Sequence, residues 1–275
     1  MAPLLLLLLP MADVDETTNW APPPTAAEQQ AAAKLLEAAE RGDGVRNAAA
    51  AALEWIGEDN PSASAVKEAR ESGTTDDAKR AAESLQFRPA VEAPLAVGYP
   101  PPSRLHAIEV KRLPAYRMVR VAMNQNAAAA DESGQRGETG AFWSLFGHIQ
   151  KEGIAMTAPV RTDYDRENDH ASTMAFLYRK PTMGQLGADG LLPGVEVVDV
   201  PAHDVVSIGV RDRSEQTVTE ARKRLELWLD QQPEQTWVVD GPLKVLGYNG
   251  PQTPRDRRIV EVQLPVRRAD AASTE

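Results

Sequence analysis

The chain has 275 residues, of which 42% are hydrophobic and 25% charged, a composition typical of globular proteins with a buried core. The absence of cysteine excludes disulfides, thiolate metal ligands and cysteine nucleophiles. A net charge of −10 does not supply the basic surface that phosphate backbones require, so we expect no nucleic-acid partner. Because no apolar run reaches about 18 residues, we expect no transmembrane segment.

The N-terminus leaves two interpretations open. Leu4 to Leu9 form an uninterrupted leucine run followed by Pro10, which is typical of the end of a secretory signal, but no Lys or Arg precedes it. Export to the periplasm or beyond and a cytoplasmic location therefore stay equally open. We interpret residues 1–24 as a possible partial signal followed by an extended, proline-containing linker.

Residues 25–88 are rich in alanine and are predicted to form a helical segment of four short helices. Thr25 and Glu28 have the spacing of a capping box for the first helix. Asn60 followed by Pro61 is typical of the start of the third helix, and Gly73 of its end. Because large apolar residues are few, we interpret the segment as an appendage packed on the main domain. The alternative is a separate module that binds a protein partner.

The proline-rich stretch 89–102 marks a boundary, after which period-two alternation indicates strands. The predicted order is two strands (108–111 and 116–123), a helix (139–150), and two strands (near 154–162 and 172–180). A second series follows, with a helix over about 214–231 and strands near 236–248 and 257–266. Residues 268–275 are predicted to be a disordered tail.

The two series are copies of each other. Residues 113–121 align with residues 200–208 at an offset of 87, and both contain a Pro-Ala turn between two strands. The fold class is therefore α+β: two ββαββ repeats forming a curved or barrel-like antiparallel sheet of about eight strands with two helices, plus the added N-terminal helical segment.

Two motifs in this part of the chain resemble the signatures of the SOUL haem-binding family. The first spans residues 153–160 (GIAMTAPV) and the second residues 247–251 (GYNGP). The resemblance covers about residues 92–267 and implies the same repeated architecture, which gyrase-inhibitor-like small-molecule-binding domains share. The sequence departs from the family pattern at three positions. His148 stands where the family usually has a tyrosine, Val260 where it usually has an asparagine, and Gln263 where it often has a tryptophan.

The resemblance implies a non-enzymatic protein that buffers or carries haem, or another tetrapyrrole, non-covalently in a mostly hydrophobic groove. Candidate groove residues lie on the helix before the first motif and within that motif, with Met156 expected on a strand that enters from the helix. His148 is the candidate iron ligand, with a solvated helix-end histidine as the alternative. Arg120 and Arg161 are candidates for the propionates. The full set of predicted binding residues is Phe142, Leu145, His148, Ile149, Met156, Tyr116 and Glu261.

Glu261 supports a different hypothesis. In gyrase-inhibitor-like relatives an acid in the central cleft serves cationic ligands or hydrolytic chemistry. If Glu261 faces such a cleft beside Tyr116, burial would raise its pKa and allow it to act as a base. The alternative is a glutamate on the outer face of the sheet or paired with arginine. No catalytic triad, phosphate loop or dinucleotide motif is visible.

Overall fold

The computed structural model describes residues 20–123, 137–165, 170–232 and 236–269. The leucine run and most of the predicted tail lie outside these residues. The helices are α1 (Ala26–Arg41), α2 (Val45–Ile56), α3 (Ala63–Ser72), α4 (Thr75–Gln86), α5 (Glu138–Lys151) and α6 (Glu215–Asp230). The strands are β1 (Ile108–Leu113), β2 (Tyr116–Ala122), β3 (Val160–Tyr164), β4 (Ala171–Leu177), β5 (Gly187–Ala188), β6 (Val195–Val200), β7 (His203–Val210), β8 (Trp237–Val239), β9 (Lys244–Gly247) and β10 (Val260–Arg268).

The N-terminal helices begin and end where local chemistry directs them. The predicted capping box is confirmed: the Thr25 hydroxyl accepts a bond from the Glu28 amide, and the Glu28 carboxylate accepts one from the Thr25 amide. Gly73 closes α3 with a φ of 70°, a left-handed conformation that favours glycine. The predicted start of α3 was two residues early. The Asn60 side chain accepts a bond from the Ser62 amide (2.9 Å), so a turn precedes the helix.

Helices α1–α4 pack around a core made mostly of alanine methyl groups, which allows the helix axes to approach closely. Arginines of the described residues join this bundle to the rest of the chain through ion pairs. Arg88 pairs with Glu28 of α1 (2.9 Å). Arg211, which follows β7, pairs with Glu83 of α4 (2.5 Å). Arg224 of α6 pairs with Glu68 of α3 (2.5 Å). The bundle is thus packed on the main domain.

The ten strands form one antiparallel sheet in the order β1-β7-β10-β9-β3-β4-β2-β6-β5, with β8 paired to β10. Among the described strands β1 and β5 lie at opposite ends and do not pair, so the sheet is open rather than closed into a barrel. The strand count exceeds the prediction by two because the stretch 236–248 divides into β8 and β9, and because β5 adds a two-residue strand.

The predicted repeat appears as a pseudo-twofold arrangement of this sheet. The strands β1, β7, β10 and β9 of one half correspond in order to β6, β2, β4 and β3 of the other. The two halves join where β3 pairs with β9. The first strand of each repeat is exchanged: β1 pairs with β7 of the second repeat, and β6 pairs with β2 of the first. The repeat therefore builds one continuous sheet.

The two faces of this sheet are covered differently. Helices α5 and α6 cover one face, called here the helix face, through two apolar cores. Residues 88–107 run across the opposite face in extended and turn conformations; we call them the strap and that face the strap face. The sequence analysis treated residues 89–102 only as a boundary, so the strap was not predicted.

Backbone hydrogen bonds hold the strap along its length. The amide of Ala90 donates to Arg257 O (2.9 Å), that of Val97 to Arg179 O (2.9 Å), and that of His106 to Gly209 O (2.8 Å). Gly209 has no side chain for a steric reason: a Cβ there would lie 2.3 Å from the Ser103 carbonyl oxygen. The strap is thus an integral layer of the domain.

Candidate functional site

Helix α5 combines a buried side with an aromatic side. Leu145 and Ile149 are buried in the core against β2, β4 and β6, as their spacing predicts. Next to them Phe142 stacks on Phe146 with ring centroids 6.1 Å apart, and Trp143 meets Phe146 edge-on at 5.6 Å. Phe142, Trp143 and Phe146 form what we call the aromatic ridge.

The aromatic ridge is supported from below and open to solvent. Phe142 packs edge-on against Phe176 of β4 with centroids 5.2 Å apart, which fixes the ridge on the sheet. The Trp143 side of the ridge is uncovered, because this residue is 55% exposed. Met156 is partly buried against the same core. An exposed apolar surface of this kind marks an interaction site, whether for a protein, a membrane or an apolar ligand.

His148 lies at the end of α5 but is not the solvated or open histidine considered from the sequence. It is 4% exposed. Its Nδ1 lies 2.5 Å from Asp189 Oδ2 and its Nε2 lies 2.7 Å from the Tyr178 hydroxyl. The carboxylate favours a proton on Nδ1, and in the neutral ring Nε2 then accepts a hydrogen bond from the Tyr178 hydroxyl. Binding of iron at Nε2 therefore requires Tyr178 to leave.

Asp189 holds this arrangement together. Burial by itself would raise the pKa of its carboxyl, but hydrogen bonds from Lys151, His148 and two backbone amides outweigh burial and hold the pKa well below the usual value. The carboxylate is therefore charged and connects the loop before β6 to the end of α5, with Lys151 Nζ at 2.7 Å. The pairing of His148 with Asp189 and Tyr178 was missed, because no local pattern links residues so far apart.

The first motif has a different structure from the one predicted. Residues 154–157 are not a strand; β3 begins at Val160, and Ala158 forms only a single bridge, to Leu95 of the strap. The Ala158–Pro159 peptide bond is cis. The Thr157 hydroxyl donates to Leu177 O (2.5 Å), and the Ala158 amide donates to Pro94 O (2.9 Å). The motif thus joins β4 to the strap.

The second motif serves the strap in the same way. The Asn249 side chain donates to Ala90 O (2.7 Å) and accepts from the Ile259 amide (2.9 Å). Glu92 of the strap accepts a bond from the Gly250 amide (2.7 Å). The Tyr248 ring packs against Trp20, with centroids 5.5 Å apart. Both motifs therefore have a structural task that is independent of any ligand.

Glu261 lies on the strap face and is fully buried, at 0% exposure. Its Oε1 accepts bonds from Lys111 Nζ (2.5 Å), the Ser103 amide (3.0 Å) and the Ser103 hydroxyl (2.9 Å). Its Oε2 accepts bonds from the Tyr248 hydroxyl (2.8 Å) and Gln263 Nε2 (3.1 Å). The carboxylate therefore faces neither solvent nor arginine, and its partners occupy both oxygens.

These contacts decide the charge of Glu261. Burial alone would raise the pKa of its carboxyl, but the charge and hydrogen bond of Lys111 and the bonds from Tyr248 and Ser103 outweigh burial and lower the pKa. The expected rise of the pKa is thus reversed. A carboxylate with a lowered pKa and five donors is a weak base.

Tyr116 also lies on the strap face, away from α5. Its hydroxyl accepts a bond from Arg161 Nη1 (2.6 Å), and its ring packs edge-on against Tyr99 of the strap at 5.6 Å. Arg161 is buried and is held bidentately by Asp163. Arg120 pairs with Glu196 at 2.6 Å. Both predicted propionate partners are therefore already bound to acids.

The predicted site residues thus fall into two groups on opposite faces of the sheet. The helix face holds Phe142, Leu145, His148, Ile149 and Met156. The strap face holds Tyr116 and Glu261. One ligand does not contact both groups, because the sheet lies between them.

The other three histidines of the chain are His106, His170 and His203. His106 Nε2 lies 2.8 Å from Glu83, while His203 binds Pro201 O and Lys244. His170 is exposed in the loop before β4. Across the described ranges no group of three His, Asp or Glu side chains is arranged to hold a metal ion.

Two cavities on the molecule are small and lie elsewhere. One, of about 260 Å³, lies between α1, α4 and Arg211; the other, of about 130 Å³, lies beneath Trp20 and the prolines of the strap. Pockets for drug-sized ligands usually measure about 300–1,000 Å³. Within the described residues, no helix is long and apolar enough to cross a membrane.

The sequence matches a known protein family. The family model described as SOUL heme-binding protein matches residues 99–265, which is more than half of the chain and agrees with the predicted range. The chain belongs to the SOUL haem-binding family. No curated protein matches the sequence.

Solved structures similar to this SOUL protein are distant. The EcmrR C-terminal domain has 14% identity and a TM-score of 0.41, covering 59% of this chain and 98% of that one. A hydrolase from Listeria innocua has 11% identity and a TM-score of 0.42, covering 59% and 93%. SAV2435 bound to tetraphenylphosphonium has 12% identity and a TM-score of 0.33, covering 58% and 93%. At such distances these neighbours carry no functional argument.

Proposed function

We propose that this protein binds haem or another tetrapyrrole non-covalently on the aromatic ridge of α5, and that it buffers or carries this ligand without catalysing a reaction. The single observation that carries the proposal is the partly exposed aromatic surface of Phe142, Trp143 and Phe146. Membership of a haem-binding family supports the ligand class.

The apolar area of a porphyrin is sufficient for useful affinity. Burying roughly 300 Å² at about 25 cal/mol per Å² contributes about 7.5 kcal/mol, which corresponds to a Kd in the micromolar range. Stacking on rigid aromatic rings adds to this without ordering flexible side chains. No bond to iron is needed for binding of this strength.

The surface beside the ridge suits a flat ligand. Trp143, Gly147 and Lys151 follow each other at intervals of four residues and therefore share one stripe of α5. A Cβ at Gly147 would meet no atom within 4 Å, so the helix surface is open there. A flat ring lying against Trp143 would cross Gly147 and reach Lys151, whose ammonium is already paired with Asp189 and Glu152.

Haemin titration tests the proposal by following the Soret band, with Trp143→Ala as the variant and Trp55→Ala as the control. Trp55 is also partly exposed but lies on α2, away from the ridge. We expect about a tenfold weaker affinity for Trp143→Ala, equal to about 1.4 kcal/mol, and no change for Trp55→Ala. Absence of saturation at tens of micromolar protein, or equal losses in both variants, would overturn the proposal.

Protoporphyrin IX separates burial from iron coordination. Equal affinities for haemin and the metal-free porphyrin support burial alone. Much tighter haemin binding that is lost in His148→Gln would mean that His148 releases Tyr178 and binds iron. The haem iron would then be coordinated by His148 Nε2, while Asp189 would keep the imidazole ring oriented through its bond to Nδ1.

The hydrolytic alternative with Glu261 has less support. A general base needs a free lone pair near the substrate, whereas five donors surround this carboxylate and the strap covers it.

Recruitment of a protein partner by α1–α4 is a further hypothesis. Removal of residues 1–88 tests it, because the loss of this segment should then abolish recovery of the partner.

A further inference from the structure

Lys244 of β9 is a buried lysine without a carboxylate partner. It is 6% exposed and lies on the strap face, opposite Gln263 of β10 and Asp163 of β3. Its Nζ lies 3.2 Å from His203 Nε2. Among the described residues no carboxylate oxygen lies within 4 Å of this Nζ. A lysine buried in this way normally pairs with an acid.

The neighbouring groups explain why Lys244 has no counter-ion. The Asp163 carboxylate is held by Arg161 through two bonds of 2.6 Å, and Arg161 also donates to the Tyr116 hydroxyl. The ammonium of Lys244 would therefore face the Arg161 charge. Both burial and this like charge favour the neutral amine and lower the pKa of Lys244 to about 7.

His203 lies between this amine and the surface. Its Nδ1 lies 2.9 Å from Pro201 O, which fixes the proton on Nδ1 and leaves Nε2 as the acceptor for Lys244. Burial and then the Lys244 charge lower the pKa of His203 to about 4, so the imidazole stays neutral. His203 is half-buried, and Pro201 and Ala202 beside it are exposed. The amine therefore contacts a side chain that is itself partly exposed to solvent.

A free acceptor lies beside Lys244 on the neighbouring strand. Gln263 Oε1 is buried and has no hydrogen-bond partner among the described residues, although its Nε2 is bound to Glu261. A buried amide oxygen without a donor costs free energy, so it favours a ligand that brings an O–H or N–H group.

We propose that Lys244 is a carbonyl-reactive lysine whose amine forms a Schiff base with a small aldehyde, at a site on the strap face separate from the aromatic ridge. The nitrogen lone pair attacks the carbonyl carbon, and the carbonyl oxygen takes a proton to give a carbinolamine. The hydroxyl then leaves as water after a further proton transfer, and the nitrogen forms a double bond to carbon. No oxidant or reductant takes part. Lysines that are desolvated or next to another cation are the ones used for this chemistry.

Reductive methylation of the full chain tests the proposal, with formaldehyde as the aldehyde and cyanoborohydride to trap the imine. Peptide mass spectrometry compares Lys244 with Lys223, an exposed lysine of α6. At pH 7 we expect Lys244 to react at least tenfold faster despite its burial. Its rate should level off above about pH 8, whereas the rate of an ordinary solvated lysine side chain keeps rising about tenfold per pH unit up to about pH 10.

Matched variants establish the assignment. Lys244→Met should remove the fast phase and leave haemin affinity unchanged, while Lys223→Met should retain the fast phase. An unmodified Lys244 in the folded wild-type protein, or a pH profile parallel to that of Lys223, would overturn the proposal. Because the wild-type comparison is internal, the result stands even if Lys244→Met folds poorly.

Discussion

The two faces of the sheet solve the problem of burial in opposite ways. On the helix face, aliphatic and aromatic side chains of α5 and α6 pack against the strands, and the buried pair of His148 and Asp189 lies at the end of α5. On the strap face, Lys111, Arg161, Lys244 and Glu261 are all buried. Apolar contacts tolerate small shifts, whereas buried charges require defined partners. Stability of the helix face therefore depends mainly on side-chain volume, and that of the strap face depends on the pairing of Lys111 with Glu261 and of Arg161 with Asp163.

The largest expected effect comes from leaving Glu261 without its cation. Lys111→Met removes the ammonium but keeps the carboxylate buried, so we expect a loss of about 3–5 kcal/mol in the free energy of unfolding. The double variant Lys111→Met with Glu261→Gln should recover most of this loss, because no unpaired charge remains. Urea denaturation measures both. Equal losses in the single and double variants would show that packing, not pairing, governs this face.

On the helix face, the loss in free energy of unfolding should depend only on the volume of the side chain that is replaced. Leu145→Ala removes a buried side chain of α5 and should cost about 2–5 kcal/mol, whereas Leu145→Met should cost less than about 1.5 kcal/mol because it conserves volume. The same denaturation experiment measures both variants across pH 5–8. A loss that varies strongly with pH would contradict the distinction between the faces.

The smallest effect is expected at Glu83, which lies outside both faces, at the junction with α4. The hydrogen bond to His106 contributes most to lowering the pKa of Glu83 to about 2, with Arg211 adding to it against the effect of burial. A lowered folded pKa gives stability that is present above the ordinary value near 4.5 and is lost as pH falls towards 2. Glu83→Gln should therefore reduce the fall in Tm between pH 5 and pH 3.

The size of this pH effect should be modest. The Glu83 side chain is 39% exposed, and solvent screening limits such pairs to less than about 1 kcal/mol. Glu68→Gln, which removes the other acid that pairs with an arginine of the main domain, provides the control at this junction. An identical fall in Tm between pH 5 and pH 3 in the wild type and in Glu83→Gln would show that Glu83 does not contribute to this pH dependence.

Much of the fold could be predicted because it depends on local chemistry and on the repeat. The capping box at Thr25 and the offset of 87, which relates β1 to β6 and β2 to β7, are visible in the sequence and confirmed by the structure. The apolar stripe of α5 predicted its buried side for the same reason. These features need only neighbouring residues or an internal comparison.

The partners of the site residues could not be predicted, because they depend on distant pairings. Glu261 binds Ser103 and Lys111, more than a hundred residues earlier, and His148 binds Tyr178 and Asp189 across a loop. The alternation that identifies β10 does not reveal which element covers Glu261. Residues 154–157 gave an apparent strand pattern, although their hydrogen bonds go to β4 and the strap.

The strap has a consequence for synthesis of the chain on the ribosome. Its bonding partners include Arg179, Gly209 and Arg257, so the strap leaves the ribosome long before the residues that hold it. Contacts between distant residues form late and slowly, whereas the helices α1–α4 make mostly local contacts. We therefore expect the strap to dock only after Arg257 and β10 have emerged. Until then the strap residues are hydrated, and Glu261 meets Ser103 and Lys111 only in the last stage of folding.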